Sequence, residues 1–140
     1  MGANLMQIRV ADFMSQPKWT VAASATVQAI DQLMTDRGIR HVPVVQGDKA
    51  IGIISDRDLL YHKRLPDWER FTAADIMTPS PYTVNAETPL AEAVNVMAER
   101  KINSVMIEGA KGNFIGLLTS TNALKALIDL LKNNPPVIFT

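Results

Sequence analysis

Apolar residues recur at the spacing of an amphipathic helix in two stretches of the chain. The two apolar stripes consist of Val27, Ile30, Leu33 and Met34, and of Leu90, Ala93, Val94 and Met97. Gly38 follows the first stripe as a left-handed cap, which predicts a helix over about 26–37. For the second stripe we predict Thr88 as the N-cap and Pro89 as the first helical residue.

A nearly continuous apolar pattern follows the first stripe. The runs HVPVV and AIGII flank the turn QGDK, and such runs are typical of short strands covered on both faces. We therefore predict a β-hairpin. A short extended piece at Trp19 to Val21 precedes the first helix, and a second helix opens at Ser55 after the hairpin.

The same order of elements occurs twice. The segment from Ala11, ADFMSQPKWTVAASATVQAIDQLMTDRGIRHVPVV, aligns with the segment from Ala74, ADIMTPSPYTVNAETPLAEAVNVMAERKINSVMIE, 63 residues later. One extra residue in the turn GAKGN moves the offset to 64, after which GIISDRDLL meets GLLTSTNAL. Internal repetition on this scale indicates two copies of one supersecondary unit that pack into one domain.

The predicted fold class is α/β (α+β), with two tandem β-α-β-β-α repeats. The predicted divisions are an N-terminal extension at 1–10, a first repeat at 11–65, a linker at 66–73, a second repeat at 74–131 and a C-terminal tail at 132–140. The last helix is longer than its counterpart in the first repeat. We expect a partner to cover the apolar side chains of this helix and of the tail, which are Leu124, Leu127, Ile128, Leu131, Val137, Ile138 and Phe139.

Composition and charge narrow the function classes. Lys plus Arg and Asp plus Glu both number 14, so a net charge of zero gives no overall attraction to nucleic acid or anionic lipid. The chain has no cysteine, and His41 and His62 cannot form a zinc site alone. No window approaches the roughly 18 apolar residues of a membrane span. We expect a cytoplasmic protein with neither membrane nor nucleic acid as partner.

The sequence contains no recognisable catalytic constellation. It has no P-loop, no GxSxG motif and no metal-ligand spacing. Asp56 and Asp58 have the spacing of an Asp-x-Asp metal motif, but residues two apart on a helix do not face each other. We therefore predict no enzyme activity and no metal site.

The segment GIISDRDLL permits two interpretations of Ser55 and Asp58. A strand that ends at Ile54 and a helix that begins at Ser55 leave backbone N–H groups pointing past the strand end, where a phosphate or ribose could dock. Alternatively, Ser55 and Asp58 form a capping box whose side chains satisfy those backbone groups and contact no ligand.

The duplicated pattern resembles a tandem pair of CBS (cystathionine-β-synthase) domains, also called a Bateman module. The resemblance covers residues 11 to about 128 and is carried by VADFM, AADIM, HVPVV, GIISDRDLL and GLLTSTNAL. It implies a pseudo-two-fold pair of repeats that binds an adenosine ligand such as AMP, ADP, ATP or S-adenosylmethionine in the clefts between them. It also implies a homodimeric regulatory module that acts on a separate partner protein. The alternative is a structural dimerisation or partner-docking module without ligand.

The resemblance implies which residues bind the ligand, with Ser55 and Asp58 matching the ribose-binding hydroxyl and carboxylate of the family. The first cleft is expected to contain Ser55, Arg57, Asp58, Thr78, Tyr82, Thr83, Asn103 and Ser104. The second is expected to contain Thr119, Thr121, Asn122, Ser15, Trp19, Thr20, Arg40 and His41. Phosphates are directed to Arg40, His41 or Arg57.

Asn122 departs from the family pattern, because an amide offers a ribose only one uncharged acceptor oxygen. The first cleft then has the better carboxylate for the ribose, and the second has the better cations for a phosphate. We therefore expect the two clefts to bind ligand with unequal affinities. Other interpretations stay open at this point: Trp19 and Tyr82 could be buried packing, and His41 could be an ordinary strand residue.

Overall fold

The computed structural model describes residues 7–133, which fall into two compact units. Among the described residues, unit 1 contains 7–16, Tyr82–Lys111 and 115–133. Unit 2 contains Pro17–Pro81 and Gly112–Phe114. Each unit therefore combines most of one repeat with the opening segment of the other repeat.

Unit 2 is built on a three-stranded antiparallel sheet in the order β1-β2-β3. Its elements are α1 (Val27–Arg37), β1 (His41–Gln46), β2 (Lys49–Ser55), α2 (Asp56–His62), α3 (Ala73–Ile76) and β3 (Thr78–Pro79). The predicted hairpin is confirmed, with Gly47 at a positive φ of 63° in its turn. Of the extended piece predicted at Trp19 to Val21, only Val21 pairs, in a parallel bridge to Val44.

Helix α1 forms where the apolar stripe predicts it. The Thr26 hydroxyl accepts a hydrogen bond from the Ala29 amide at 3.2 Å, and Gly38 ends the helix in the left-handed conformation at φ 63°. The core of unit 2 consists of Val27, Ile30, Met34, Val42, Val44, Ile54, Leu59, Ala73 and Ile76. The stripe therefore packs against both strands of the hairpin.

Unit 1 repeats this plan with small differences. Its elements are β4 (Thr83–Asn85), α4 (Leu90–Arg100), β5 (Ser104–Glu108), β6 (Phe114–Thr119) and α5 (Ser120–Asn133), and its sheet has the order β4-β5-β6. Its core consists of Val10, Val84, Leu90, Ala93, Met97, Val105, Ile107, Leu118 and Ala126. Helix α5 has 14 residues against 7 in α2, as predicted. No helix within residues 7–133 is long and apolar enough to cross a bilayer.

The predicted N-cap of α4 is wrong by one residue. Pro89 is the N-cap and the helix begins at Leu90. The Thr88 hydroxyl instead donates to the Asn85 side-chain oxygen at 3.3 Å, and the Glu87 amide donates to the same oxygen at 2.9 Å. The Thr88 hydroxyl is thus part of a turn around Asn85 and does not cap the helix. The capping pattern in the sequence did not indicate this competing hydrogen bond.

The exchanged opening segments pair with the strand that ends each repeat. Thr78 lies opposite Ile53 in the β2–β3 pairing. Ser15 forms a bridge to Leu117, with both backbone hydrogen bonds at 2.8 Å. Each opening segment is also closed by an aspartate: the Asp12 carboxylate accepts from the Arg9 amide, and the Asp75 carboxylate accepts from the Thr72 amide, both at 2.8 Å.

These opening segments approach the strands closely because glycine faces them. A Cβ at Gly52 would lie 2.8 Å from Met77 Cγ, and a Cβ at Gly116 would lie 2.9 Å from both Met14 Sδ and the Ser15 carbonyl oxygen. Met14 and Met77 pack against the cores of units 1 and 2. The repeated glycines therefore make room for the opening segments.

Candidate functional site

Ser55 ends β2 and caps α2. Its hydroxyl oxygen accepts from the Asp58 amide at 3.2 Å, and Asp58 Oδ2 accepts from the Ser55 amide at 2.8 Å. The capping box is therefore formed. It occupies only one carboxylate oxygen, and within residues 7–133 the second oxygen of Asp58 receives no hydrogen bond. The side chain can thus cap the helix and still offer an acceptor to another group.

Thr119 and Asn122 repeat this frame in unit 1 with a different acceptor capacity. The Thr119 hydroxyl oxygen accepts from the Asn122 amide at 3.2 Å. Asn122 Oδ1 accepts from the Thr119 amide at 2.8 Å and from the Thr119 hydroxyl at 3.0 Å. The one acceptor oxygen of the amide therefore already receives two donors.

Arg40 and His41 lie beside the Ser55 frame of their own unit. The Arg40 carbonyl oxygen accepts from the Asp56 amide at 2.9 Å, and His41 is opposite Ser55 in the β1–β2 register. The resemblance grouped both residues with Thr119 and Asn122. That grouping stays a prediction; within unit 2 the two residues also lie beside the Ser55 frame of the first repeat.

Partial burial lowers the pKa of His41 below its ordinary value. The Asp56 and Asp58 carboxylates act in the opposite direction, and the neighbouring Arg40 guanidinium adds to the lowering. His41 is thus held close to two carboxylates and one guanidinium. Asp56, which the sequence offered only as a metal ligand, contributes to this electrostatic environment instead.

The matching residues of unit 1 adopt the same backbone contacts without charge. The Asn103 carbonyl oxygen lies 3.0 Å from the Ser120 amide, and the Ser120 hydroxyl donates to Asn103 Oδ1 at 3.1 Å. We call the unit 2 group, which consists of Arg40, His41, Ser55, Asp56, Arg57 and Asp58, the charged end. We call the unit 1 group, which consists of Asn103, Ser104, Thr119, Ser120, Thr121 and Asn122, the neutral end.

Each end is accompanied by a polar residue from the opening segment of the other repeat. Thr78 pairs two residues before Ser55, and Ser15 pairs two residues before Thr119. The Ser15 hydroxyl also donates to the Leu117 carbonyl oxygen at 3.4 Å. The structure thus brings Thr78 into the unit of Ser55 and Ser15 into the unit of Thr119.

The two predicted wall aromatics are each stacked by an arginine. The Arg37 guanidinium lies 4.6 Å from the Trp19 ring centre in unit 2, and the Arg100 guanidinium lies 5.2 Å from the Tyr82 ring centre in unit 1. Trp19 is 36% exposed, so it is not a buried packing residue, whereas Tyr82 packs against the unit 1 core. In the alignment of the repeats, Trp19 matches Tyr82 and Arg37 matches Arg100. This repeated aromatic–arginine pair was the sequence feature that could have indicated the stacking.

The remaining predicted residues are on the surface of their units. Thr20 and Thr83 are exposed, and Thr83 pairs with Met106 in the parallel β4–β5 ladder. Trp19 and Thr20 belong to unit 2, and Tyr82 and Thr83 to unit 1. Arg57 is exposed, and its amide donates to Asp56 Oδ1 at 3.0 Å.

Comparison with known proteins identifies the repeated unit. A family model described as the CBS domain matches residues 10–64 and again 73–129. A CBS domain-containing protein of Dictyostelium discoideum is 27% identical over 94% of this chain and 99% of its own length. Inosine-5'-monophosphate dehydrogenase of Korarchaeum cryptofilum is 32% identical over 80% of this chain, but the chain spans only 23% of that enzyme.

A solved structure has the same fold. CBSX2, a CBS-pair protein from Arabidopsis thaliana, was crystallised in complex with AMP and superimposes with a TM-score of 0.78 at 28% sequence identity. The superposition covers 88% of this chain and 98% of CBSX2. The predicted fold class is therefore confirmed, and the chain belongs to the CBS domain family.

Proposed function

We propose that this chain is a regulatory module that senses an adenosine-containing ligand, such as AMP, ADP, ATP or S-adenosylmethionine, and controls a separate partner protein in the cytoplasm. The observation that carries the proposal is the Asp58 carboxylate, which caps α2 with one oxygen and keeps the other available within residues 7–133. A carboxylate with a free acceptor suits the two hydroxyls of a ribose. The AMP complex of the similar protein CBSX2 supports this ligand class.

The proposed ligand contacts lie in the clefts between the two repeats. Ser55 and Asp58 hold the ribose of one ligand, and Thr119 and Asn122 hold the ribose of the other. Further contacts are assigned to Ser15, Trp19, Thr20, Arg40, His41, Arg57, Thr78, Tyr82, Thr83, Asn103, Ser104 and Thr121. Adenine takes hydrogen bonds from backbone edges, as is usual for small-molecule sites lined by apolar groups.

Thermal unfolding tests the proposal with a matched pair of variants. Asp58→Ala removes both the cap and the free oxygen, whereas Asp58→Asn keeps a capping oxygen of the kind that Asn122 uses. Wild type and both variants are heated with AMP, ADP, ATP, S-adenosylmethionine or guanosine. A ligand at 100 times its dissociation constant stabilises the native state by about 2.7 kcal/mol.

We expect an adenosine ligand to raise the Tm of the wild type, and guanosine to leave it unchanged. The shift should shrink in Asp58→Asn even though that variant stays folded, because its amide lacks the second anionic oxygen. If no adenosine ligand changes the wild-type Tm at millimolar concentration, the proposal is wrong and a ligand-free docking module explains the chain better.

A second part of the proposal is homodimerisation through α2 and α5. Leu60 and Leu124 occupy equivalent positions on these helices and are 66% and 60% exposed. The other large apolar side chains that α2 and α5 expose are Tyr61, Leu127, Ile128 and Leu131. Apolar surface on this scale is typical of a protein contact. The same surface would serve a purely structural docking module, so it supports both candidate functions.

Sedimentation equilibrium tests the dimer separately from ligand binding. We expect a dimer for the wild type and a monomer for a Leu124→Lys, Leu127→Lys double variant. Because these side chains are exposed, the monomer should keep its fold by circular dichroism. A monomeric wild type over the whole accessible concentration range contradicts this part of the proposal. The predicted tail residues Val137, Ile138 and Phe139 lie outside the described residues.

A further inference from the structure

Each unit contains an arginine that stacks on an aromatic ring. Arg37 is the last residue of α1, and its guanidinium lies 4.6 Å from the Trp19 ring centre. Arg100 is the last residue of α4, and its guanidinium lies 5.2 Å from the Tyr82 ring centre. Neither arginine makes an ion pair with another residue from 7 to 133. The aromatic ring is therefore the partner that the described chain offers to each guanidinium.

A third pair of this kind, in unit 2, is part of ordinary packing. The Lys63 ammonium lies 5.3 Å from the Trp68 ring centre and 3.0 Å from an Asp31 carboxylate oxygen. The Trp68 ring is partly buried and packs against the unit 2 core. The lysine thus has a carboxylate partner, and its ring is ordered by the core. Tyr82 is ordered in the same way, because it packs against the unit 1 core.

Trp19 differs from both of these rings because it is 36% exposed. The other large apolar side chains that residues 7–133 expose lie on α2 and α5 or, for Leu65, just after α2. Trp19 lies instead in the segment before α1, two residues before the bridge of Val21 to Val44. With the Arg37 guanidinium over the ring, the exposed part of the indole is a flat apolar surface.

The guanidinium accounts for the orientation of this exposed ring. An exposed tryptophan otherwise exchanges among several staggered side-chain rotamers. A cation–π contact at an exposed site favours one orientation by about two- to fivefold, and the planar guanidinium stacks well on an indole. A ring that is already ordered loses less conformational entropy when another group packs on it. The contact therefore prepares the indole for a flat partner.

We propose that Arg37 is a positioning residue for the adenosine ligand: its guanidinium holds the Trp19 indole in the orientation that stacks on the purine base. This inference rests on the proposed function, which assigns Trp19 to the ligand. Arg37 does not touch the ligand and acts only through the ring. Arg100 has no such role, because core packing already orders the Tyr82 ring.

Tryptophan fluorescence measures the state of this ring directly. Trp19 and Trp68 are the two tryptophans of the chain, so Trp68→Phe leaves Trp19 as the single reporter. In that background we expect AMP and adenosine to quench the Trp19 emission as the base stacks. Arg37→Ala should raise acrylamide quenching of the free chain by about twofold. It should also weaken both ligands by about two- to fivefold, which is the ordering that the contact supplies.

Two further substitutions separate the charge of Arg37 from its planar shape. Arg37→Lys keeps the cation without the plane, and Arg37→Gln keeps a planar amide without the cation. We expect the lysine variant to retain more affinity than the glutamine variant, because the ring attracts positive charge. Lys63→Ala removes the cation over Trp68 and is the matched control, which should leave both affinities unchanged. Arg37 is exposed, and circular dichroism checks that each variant stays folded.

A double-mutant cycle shows whether Arg37 acts through the ring. Fluorescence cannot report once Trp19 is replaced, so calorimetry measures the affinities. Arg37→Ala should weaken adenosine in the chain that contains Trp19, and it should have almost no effect in the Trp19→Ala chain. A merely structural role of Arg37 would weaken the ligand equally in both chains. Adenosine is the decisive ligand here, because it has no phosphate that Arg37 could contact directly.

The outcomes distinguish this inference from the proposed function. If Arg37→Ala weakens AMP but not adenosine, Arg37 binds the phosphate and the inference is wrong, while adenosine sensing still stands. The inference is also wrong if an adenosine ligand raises the Tm without any change in Trp19 emission. If neither AMP nor adenosine changes the emission or the Tm, the proposed function fails and the inference fails with it.

Discussion

The charged and neutral ends show how one helix-capping frame can carry two chemistries. At the charged end, Asp58 gives one oxygen to the Ser55 amide and keeps the other. At the neutral end, the single oxygen of Asn122 receives both donors of Thr119. Capping and ligand binding are therefore not alternatives for a carboxylate, because a cap requires only one of its two oxygens. When the side chain is an amide, capping and ligand binding compete for its single oxygen.

A glycine in the strand before the cap is a feature of both units. Gly52 and Gly116 let the opening segment of the other repeat lie against the strand that ends in the cap. The two contacts differ in kind, however. The three atoms nearest to a Cβ at Gly52 all belong to the Met77 side chain, whereas those nearest to a Cβ at Gly116 include the Ser15 carbonyl oxygen. The units should therefore respond differently when the space at these glycines is filled.

The largest expected effect comes from Gly52→Ala. The added Cβ overlaps Met77, so we expect the free energy of unfolding in urea to fall by about 1–3 kcal/mol. Met77→Ala in the same chain should recover part of the loss, since it removes the clashing atoms. Gly116→Ala should cost a similar amount, and Met14→Ala should recover less of it, because the Ser15 carbonyl oxygen stays 2.9 Å from the new Cβ.

Double-mutant cycles measure this difference between the units. Each cycle compares the two single variants with their combination. If the coupling energies for Gly52 with Met77 and for Gly116 with Met14 are equal, the distinction between a side-chain contact and a backbone contact is wrong. If both are zero, the close approach itself is not the cause of the loss.

Removal of the cap hydroxyl should have the next largest effect. Ser55→Ala leaves the Asp58 amide without its acceptor, and loss of such a cap typically costs about 1 kcal/mol. Asp58→Asn should cost less than Asp58→Ala, because Asn122 performs the same capping in the second repeat. Urea unfolding without ligand measures whether the losses of stability follow this order. Equal losses for Asn and Ala at position 58 would show that the carboxylate does not stabilise the helix through the observed hydrogen bond.

Replacement of a neutral-end residue by its charged-end counterpart should increase ligand affinity. Asn122→Asp gives unit 1 a carboxylate with a second oxygen, and a hydrogen bond to a charged acceptor exceeds a neutral one by about 1 kcal/mol. Adenosine should then bind the neutral end roughly fivefold more tightly, measured by calorimetry. Asn122→Ala is the control and should weaken binding. An unchanged affinity for Asn122→Asp would mean that this side chain does not face the ribose.

The repeats, the hairpin, helix α1 and the caps could be predicted from sequence because each depends on residues close together in the chain. Periodicity located Val27 and Ile30 in the core, and the spacing of Ser55 and Asp58 indicated the capping box that forms. The Thr88 cap was predicted wrongly because Asn85 competes for its hydroxyl. Local rules describe such positions only when no neighbour offers a better partner.

The exchange of opening segments and the place of the cations could not be predicted in this way. Alignment of the repeats relates Arg40 to Asn103, but only the family resemblance grouped Thr78 with Ser55 and Ser15 with Thr119. Only the strand pairings and the contact of the Arg40 carbonyl oxygen with the Asp56 amide place each of them. These contacts join segments that are distant in sequence, and local sequence rules do not describe them.

The smallest expected effect is a pH dependence specific to the charged end. The folded chain binds the His41 proton less tightly than the unfolded chain, because burial lowers the pKa of His41 below 6.5. The stability linked to His41 is thus fully present above pH 6.5 and is lost as the pH falls through 6.5 toward the lower folded-state pKa. His41→Ser installs the residue of the neutral end and should flatten this part of the curve.

Urea unfolding of wild type and His41→Ser from pH 5 to pH 8 makes the comparison, with His62→Gln as the control for the other histidine. The difference between wild type and His41→Ser should change only below about pH 6.5. A bound phosphate should reverse the sign, since an anion beside His41 favours the protonated ring. If the two stability curves stay parallel throughout, the Asp56 and Asp58 carboxylates offset the burial of His41 completely. The charged end then carries no response to pH without a ligand.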